Sequence, residues 1–260
     1  MSDRARFAEV VRAEPLDLGL ACALVAAEVV PDLDVDAVTA RLDALAADVP
    51  EGDDDVARLR AVLGGFAGTG VDYDDVRSSL LPEVLARRRG LPLLLAVVWV
   101  EVARRAGIAA EAVGLPGHVV VRVGARHVDA FAGGAELDGD ALAALVRAAT
   151  GGPLRAEHLE ATPAADLLLR LLTNVRVLAS RQDASLEAVR TRLWAVELSL
   201  LLPRHPYALR RERGELRVRL GDHLGGAAEL EEWAGVAEGA DPAAAEQARR
   251  AARSARARLN

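Results

Sequence analysis

The sequence predicts an α+β protein that is mainly helical, with a small antiparallel sheet in its first part and an all-helical second part. Hydrophobic residues make up 52% of the 260 residues but aromatic residues only 3%. The core is therefore built mostly from Ala, Leu and Val, a composition that favours helices. The apolar run from Leu91 to Val100 predicts a buried helix. The β-branched stretch that follows it at 119–123 predicts a hairpin.

The chain before the hairpin is expected to be helical. Residues 7–48 predict two or three short helices interrupted at Pro15 and Pro31, and helical spacing resumes at 56–66. Ser79 is placed to cap a further helix that ends near 87–90.

The central apolar helix has clear end signals. Pro92 suits its first turn, where no N–H is needed, and Gly107 ends it. We therefore expect the helix at 92–106 to organise the N-terminal domain, with the sheet packed against it.

The hairpin fixes which side chains share a face. A two-residue turn at Gly124-Ala125 would pair Val123 with Arg126. His118 and Asp129 then lie on the same face, one diagonal step apart, where their side chains can meet. We predict a hydrogen bond between them in a shallow cleft beside the start of the helix at Pro92.

The last part of the chain shows a repeated helical pattern. Helices predicted at 186–200 and 227–237 each precede a proline corner, and Pro206 and Pro242 are 36 residues apart, near the tetratricopeptide period. Two helical hairpins are predicted, with a plain helical bundle as the alternative. The predicted domains are 1–152, which contains the central helix and the hairpin, and 153–260, a helical repeat.

Charge and composition limit the function. A net charge of −7 and a pI near 5.4 argue against binding to nucleic acid or anionic membranes. One cysteine permits no internal disulfide, and no segment resembles a signal peptide or a bilayer span, so we expect a cytoplasmic protein. No cofactor is expected.

The order of helix, His strand and Asp strand is similar to the skeleton of the transglutaminase and papain-like catalytic triad. In such enzymes a cysteine at the start of the helix is activated by a His that a carboxylate orients. His118 and Asp129 could take the last two roles. The resemblance puts the nucleophile position at Pro92, and proline cannot attack a carbonyl.

Several other assignments stay open. Ser78 and Ser79 are nearby hydroxyls that could be nucleophiles or helix caps. Cys22 lies in an apolar run typical of a core thiol. His118 could simply be a structural partner of Asp129. His118, His127 and Asp129 are also predicted on the same face of the hairpin, where two histidines and a carboxylate could bind a metal ion, although no metal is expected.

Nearly the whole chain resembles a bacterial family that joins a transglutaminase-like core to C-terminal tetratricopeptide repeats, the Sir-B-one type. The segments that carry the resemblance, in order, are Gly65-Phe66-Ala67-Gly68 with Tyr73, Ser79 to Leu85, Arg88-Arg89-Gly90-Leu91-Pro92, Glu101 to Gly107, Pro116-Gly117-His118 and Asp129 to Gly134. The resemblance implies the fold, and it implies that proline at the nucleophile position is usual. It implies no established reaction.

The chain departs from the family pattern near the predicted site. Leu94 and Ala96 stand where the family tends to have hydroxyl residues, Ala130 replaces a usual proline, and Trp99 stands at an aromatic Tyr position. The site is therefore more apolar than usual, which weakens an enzymatic interpretation. We expect a ligand there to contact His118, Asp129, Trp99 and Phe131.

The sequence thus predicts a non-catalytic transglutaminase-like protein that binds a protein or peptide through its C-terminal helical repeats, with the cleft as a second site for a peptide or small ligand. The alternative is a hydrolase or acyltransferase that uses His118 and Asp129 with a non-standard nucleophile.

Overall fold

A computed structural model of the chain describes residues 2–181 and 185–258. Its contacts divide into two compact units, Met1–Leu171 and Leu172–Asn260, and the division falls inside one helix. The domain boundary predicted after residue 152 stays a prediction, and this contact division lies later in the chain.

The first unit begins with the short helices that the sequence predicts. Most start at an acidic or hydroxyl side chain that accepts a backbone N–H of the first turn, as Asp17, Asp34 and Asp54 do. The helices of this part are α1 (Asp3–Val10), α2 (Leu18–Ala27), α3 (Val35–Ala47), α4 (Asp55–Leu63), α5 (Leu81–Arg87), α6 (Pro92–Arg105) and α7 (Gly139–Thr150).

Helix α6 is the central buried element, as predicted. Its residues from Pro92 to Trp99 are all buried, and Gly107, with φ of +71°, follows its end. It packs against α3 and against the first two strands. Its polar residue Glu101 is 3% exposed and pairs with Arg104 and Arg105, so the one buried charge on this helix is neutralised.

The sheet has four antiparallel strands in sequential order: β1 (Ala110–Val113), β2 (Val120–Val123), β3 (Arg126–Asp129) and β4 (Ala135–Leu137). Val123 pairs with Arg126, which confirms the predicted register, and Gly124 turns with φ of +57°. Strand residues Val113 and Val120 form an apolar cluster with Leu142 and Val146 of α7. The small sheet is thereby held between helices.

The predicted N-cap role of Ser79 is wrong. Residues Val76–Ser79 form a 3₁₀ turn, and Leu80 precedes the first residue of α5. The Ser78 carbonyl accepts the N–H of Leu91, 3.1 Å away. Because this turn is tied to the chain entering α6, the helix starts one residue later than its sequence signal indicates.

The remaining helices run to the end of the described chain: α8 (Ala164–Arg181), α9 (Leu186–Ser199), α10 (Ala208–Arg219), α11 (His223–Ala237) and α12 (Pro242–Ala257). Helices α9 and α11 confirm the two helices predicted before the proline corners. From α9 to α12, each helix packs on the next. Assignment of this packing to tetratricopeptide repeats stays a prediction.

Glycines bring α10 and α11 close together. A Cβ atom at Gly226 would lie 2.6 Å from the Gly214 carbonyl oxygen, and one at Gly214 would lie 3.0 Å from Leu230 Cγ. Beside this contact, Glu229 is 8% exposed and pairs with Arg213 and Arg217. The second unit therefore depends on close helix approach as well as on aliphatic burial.

Within residues 2–181 and 185–258, no helix is both long and apolar enough to span a membrane.

Candidate functional site

His118 and Asp129 form the centre of the site. His118 Nε2 lies 2.9 Å from Asp129 Oδ1, and each side chain is 12% exposed. The predicted hydrogen bond is confirmed. Asp129 Oδ1 also accepts the backbone N–H of Phe131 at 2.9 Å, because Asp129 ends β3 and caps the 3₁₀ turn Ala130–Ala132. Two donors therefore fix this carboxylate, and the ring nitrogen Nδ1 of His118 is left for other contacts.

Arg170 of α8 supports the segment between β1 and β2 that carries His118. Its guanidinium donates to the carbonyl of Leu115 at 3.1 Å and to that of His118 at 2.9 Å. Burial lowers the pKa of Arg170, and the nearby Tyr73 opposes this shift. Sequence analysis missed this residue. The available signal was an arginine between leucines in a helical stretch, which marks a cation held at an apolar surface.

Two aromatic rings extend the site from His118. The Phe131 ring is edge-on to His118, with centroids 5.9 Å apart, and Tyr73 is edge-on to Phe131 at the same distance. Burial raises the pKa of Tyr73, the Asp129 charge raises it further, and Arg170 opposes both. Tyr73 is thus close enough to Asp129 and Arg170 for their charges to affect its pKa. The sequence singled out Tyr73 only through the family resemblance.

The start of α6 lies against the same aromatic residue. A Cβ atom at Gly68 would overlap the Phe131 ring and lie 2.6 Å from the Gly90 carbonyl oxygen. The Gly68 N–H also donates to the Phe131 carbonyl at 2.9 Å. Gly90 comes two residues before Pro92, so the segment that leads into α6 and the Phe131 ring both lie against Gly68.

The predicted nucleophile position carries no nucleophile. Pro92 is the first residue of α6 and is buried. Among the described residues, no Ser, Thr or Cys side chain is hydrogen-bonded to His118, whose ring bonds only Asp129. A base and its orienting carboxylate are present, but the group they would activate is not at the expected position.

The two candidate serines have other surroundings. Ser78 Oγ receives a hydrogen bond from Arg87 at 3.0 Å and lies 3.3 Å from Asp72 Oδ1. Ser79 is 1% exposed, and its hydroxyl has no partner in the part of the chain that the structure describes. Burial raises the pKa of Asp72, but hydrogen bonds from Thr69 and Arg89 outweigh burial and lower it overall. Neither serine is hydrogen-bonded to His118.

Cys22 does not supply an activated thiol. It lies inside α2 and is 1% exposed. Burial raises the pKa of its thiol strongly, and the negative charges of Glu101 and Asp17 raise it further. A thiol in these surroundings stays protonated and is a poor nucleophile.

The metal alternative is not supported by the geometry. The described ranges contain no group of three or more His, Cys, Asp or Glu residues placed to hold a metal ion. His127 pairs across the strands with Arg122, and burial followed by the Arg122 charge lowers its pKa. His118 and Asp129 instead bond each other.

Trp99 is fully buried in α6. A Cβ atom at Gly134 would overlap its ring, so the indole packs directly under the turn that follows Phe131. Its role as a ligand contact stays a prediction, as do those of His118, Asp129 and Phe131. The ring packs against Gly134, in the turn that follows Phe131.

A central apolar helix packed on a small antiparallel sheet, with a His just before one strand bonded to an Asp at the end of the next, is the arrangement of transglutaminase-like proteins. The sequence profile described as the transglutaminase-like superfamily matches residues 33–173, and the chain belongs to this superfamily.

Bacterial relatives share this region. A UPF0162 protein of Xylella fastidiosa (strain Temecula1) is 35% identical over 178 residues, which cover 65% of this chain and 62% of the relative. That of strain 9a5c is 36% identical over 62% of this chain and 59% of the relative. The chain thus spans about three fifths of these two. UPF0162 protein PA3419 of Pseudomonas aeruginosa is 32% identical over 76% of this chain and 78% of the relative.

Proposed function

We propose that this protein is a non-catalytic member of the transglutaminase-like superfamily, of the type that joins such a core to tetratricopeptide repeats. It recruits a protein partner through α9–α12 and uses the His118–Asp129 site to hold a peptide or small ligand. The observation that carries the proposal is that Pro92 stands where the thiol is required.

The surroundings of His118 support binding over turnover. Its ring lies between a carboxylate and the edge of Phe131, and Tyr73 is 41% exposed beside that ring. Such a site offers one polar pair and an aromatic wall, which suits recognition of a peptide or small ligand. Covalent catalysis would need a further side chain, which neither Ser78 nor Ser79 provides in this geometry.

The helices α9–α12 support the recruiting role. They stack in sequence, and stacked helix pairs commonly present an extended surface to other proteins. Large apolar side chains are exposed on them: Leu186 is 59% exposed, Leu224 63% and Val236 64%. A protein partner could cover these side chains if they lie on one surface, since only a contiguous apolar patch marks an interaction site.

Capture of partners from the native cell tests the proposal with three forms of the protein: the whole chain, His118→Ala, and a chain ending at Arg181. Ending after α8 keeps the Arg170 contacts to Leu115 and His118 intact. Circular dichroism of each form establishes that it is folded. We expect a partner that is lost on truncation. Equal recovery by the shortened chain would contradict the recruiting role.

The enzymatic alternative is tested separately with peptide, ester and amide substrates. We expect no turnover above that of His118→Ala. The alternative would be established if the protein turns over a substrate and that activity is lost both in His118→Ala and in one of the variants Ser78→Ala and Ser79→Ala. The protein would then be a hydrolase or acyltransferase with a serine nucleophile. Folded variants are needed in each case, because both serines are buried.

A further inference from the structure

A groove between α3 and α5 lies apart from the His118 site. It encloses about 490 Å³, within the range of small-ligand pockets. Its lining is mostly aliphatic and carries three charged side chains; it comprises Leu33, Asp34, Ala37, Val38, Arg41, Pro82, Leu85, Ala86 and Arg88. Val38 and Leu85 are 7% and 5% exposed, so they belong to the core and form a firm apolar floor.

Both arginines of this groove lack an acidic partner. Within residues 2–181 and 185–258, neither Arg41 nor Arg88 forms a hydrogen bond or ion pair with a carboxylate. Most arginines near the groove do: Arg87 pairs with Asp75, and Arg89 with Asp72. The two arginines at the groove therefore leave positive charge available at an apolar surface.

Arg88 is held in place by its surroundings. It ends α5 in the left-handed conformation, with φ of 54°, and its guanidinium lies over the Phe66 ring, 5.6 Å from the centroid. A cation at this distance over a ring face is attracted to the ring. This contact restrains the Arg88 side chain beside the groove, and its N–H groups have no carboxylate partner in the described chain.

Asp34 is the one acidic residue in the lining. Its Oδ1 accepts the N–H of Ala37 at 2.9 Å, as the N-cap of α3. Asp34 therefore has a structural role as a helix cap. Two arginines and one aspartate give the groove a net positive charge. A ligand anion is favoured, and the aliphatic floor requires that the anion carry an apolar chain.

We propose that this groove binds a small aliphatic monocarboxylate, with the carboxylate between Arg41 and Arg88 and the hydrocarbon chain on Val38 and Leu85. The planar guanidinium suits a carboxylate, which it can meet with two parallel hydrogen bonds. Inorganic anions do not use the apolar floor, and apolar alcohols do not use the arginines. The site is independent of the function proposed for His118.

Titration of the full chain with octanoate, followed by the amide chemical shifts of Ala37 and Ala86, tests the proposal. We expect saturable binding of octanoate and none of acetate at the same concentration. Arg41→Gln and Arg88→Gln should each weaken binding about two- to fivefold, the range typical of exposed charge pairs. Asp34→Asn keeps a good helix cap and should strengthen binding about twofold.

Two controls separate this site from general binding. Arg147→Gln removes another exposed arginine that has no ion pair in the described chain, and it should leave octanoate affinity unchanged. Ala37→Trp fills the groove at an exposed helix position and should abolish the octanoate-dependent shift of the Ala86 amide. The proposal is wrong if Ala37→Trp binds octanoate normally, or if the Arg41 and Arg88 variants match the Arg147 control. Binding of an acidic peptide without octanoate binding would also overturn it.

Discussion

His118 Nε2 and Asp129 Oδ1 lie 2.9 Å apart although the residues are separated by the whole β2–β3 hairpin. The two-residue turn at Gly124-Ala125 sets the strand register, and the register brings the two side chains to one face. Strand pairing and the hydrogen bond from Arg170 to the His118 carbonyl thus together position the His–Asp half of a catalytic triad.

The His118→Ala variant is expected to fold but to lose about 1 to 3 kcal/mol of unfolding free energy, because the buried Asp129 carboxylate loses a donor. The Phe131 N–H still bonds that carboxylate, which limits the loss. Urea denaturation measures it. As a control, His127→Ala removes a ring nitrogen that has no partner in the described chain and should cost less. A larger loss in His127→Ala would contradict the expectation.

The tautomer of neutral His118 is a second prediction. An ionised carboxylate only accepts hydrogen bonds, so the proton of the neutral ring belongs on Nε2, which faces Asp129. Long-range ¹H–¹⁵N correlation spectra should show a protonated Nε2 and an unprotonated Nδ1. The preference should weaken in Asp129→Asn, whose amide can also donate. The opposite tautomer in the wild-type protein would contradict the bond as described.

Gly68→Ala is expected to lower the free energy of unfolding by about 3 kcal/mol. The added methyl group meets both the Phe131 ring and the Gly90 carbonyl, and the backbone carbonyl cannot move aside cheaply. Gly70→Ala is the matched control in the same loop, since nothing lies within 4 Å of its Cβ position. Thermal unfolding compares the two. Similar stability for both would mean that the loop does not press on Phe131.

The contribution of Asp75 should depend on pH. Burial raises its pKa, but hydrogen bonds from Arg77 and Arg87 outweigh burial and bring the pKa down to about 2. Because the folded-state pKa lies below the unfolded value of about 3.9, the stabilisation is complete above pH ~4 and is lost as the pH falls towards 2.

Asp75→Asn keeps an acceptor for the Arg77 N–H but removes the charge. Urea denaturation at several pH values should show wild type more stable than Asp75→Asn at pH 7, with the difference shrinking below pH ~4. A difference that stays constant down to the lowest pH at which both fold would contradict the assignment.

The close approach of α10 and α11 can be tested with two glycine substitutions on α11. Gly226→Ala should destabilise by about 1 to 3 kcal/mol, because its methyl group meets the Gly214 carbonyl and the backbone of Val218. Gly235→Ala lies on the same helix with open space around it and should stabilise by up to about 1 kcal/mol through helix propensity. Calorimetry measures both. Destabilisation by Gly235→Ala equal to that by Gly226→Ala would contradict the packing.

Local signals predicted the central helix and the hairpin. Helix α6 was predictable because its apolar run, its proline start and its glycine end agree. The hairpin was predictable because turn length fixes register. The prediction for Ser79 failed because a hydroxyl before an apolar run signals a cap only if the chain enters the helix there. Here the turn that contains Ser79 is bonded to Leu91 instead.

The sequence alone determined the central helix, the hairpin register and the face that His118 and Asp129 share, because these depend on residues close together in the chain. Only the tertiary structure decided that Arg170 of α8 holds the carbonyls of Leu115 and His118 and that Gly68 lets Phe131 meet the head of α6. These contacts join segments far apart in sequence. Their partners are selected by packing and by the need to satisfy buried polar groups, and no local pattern encodes either.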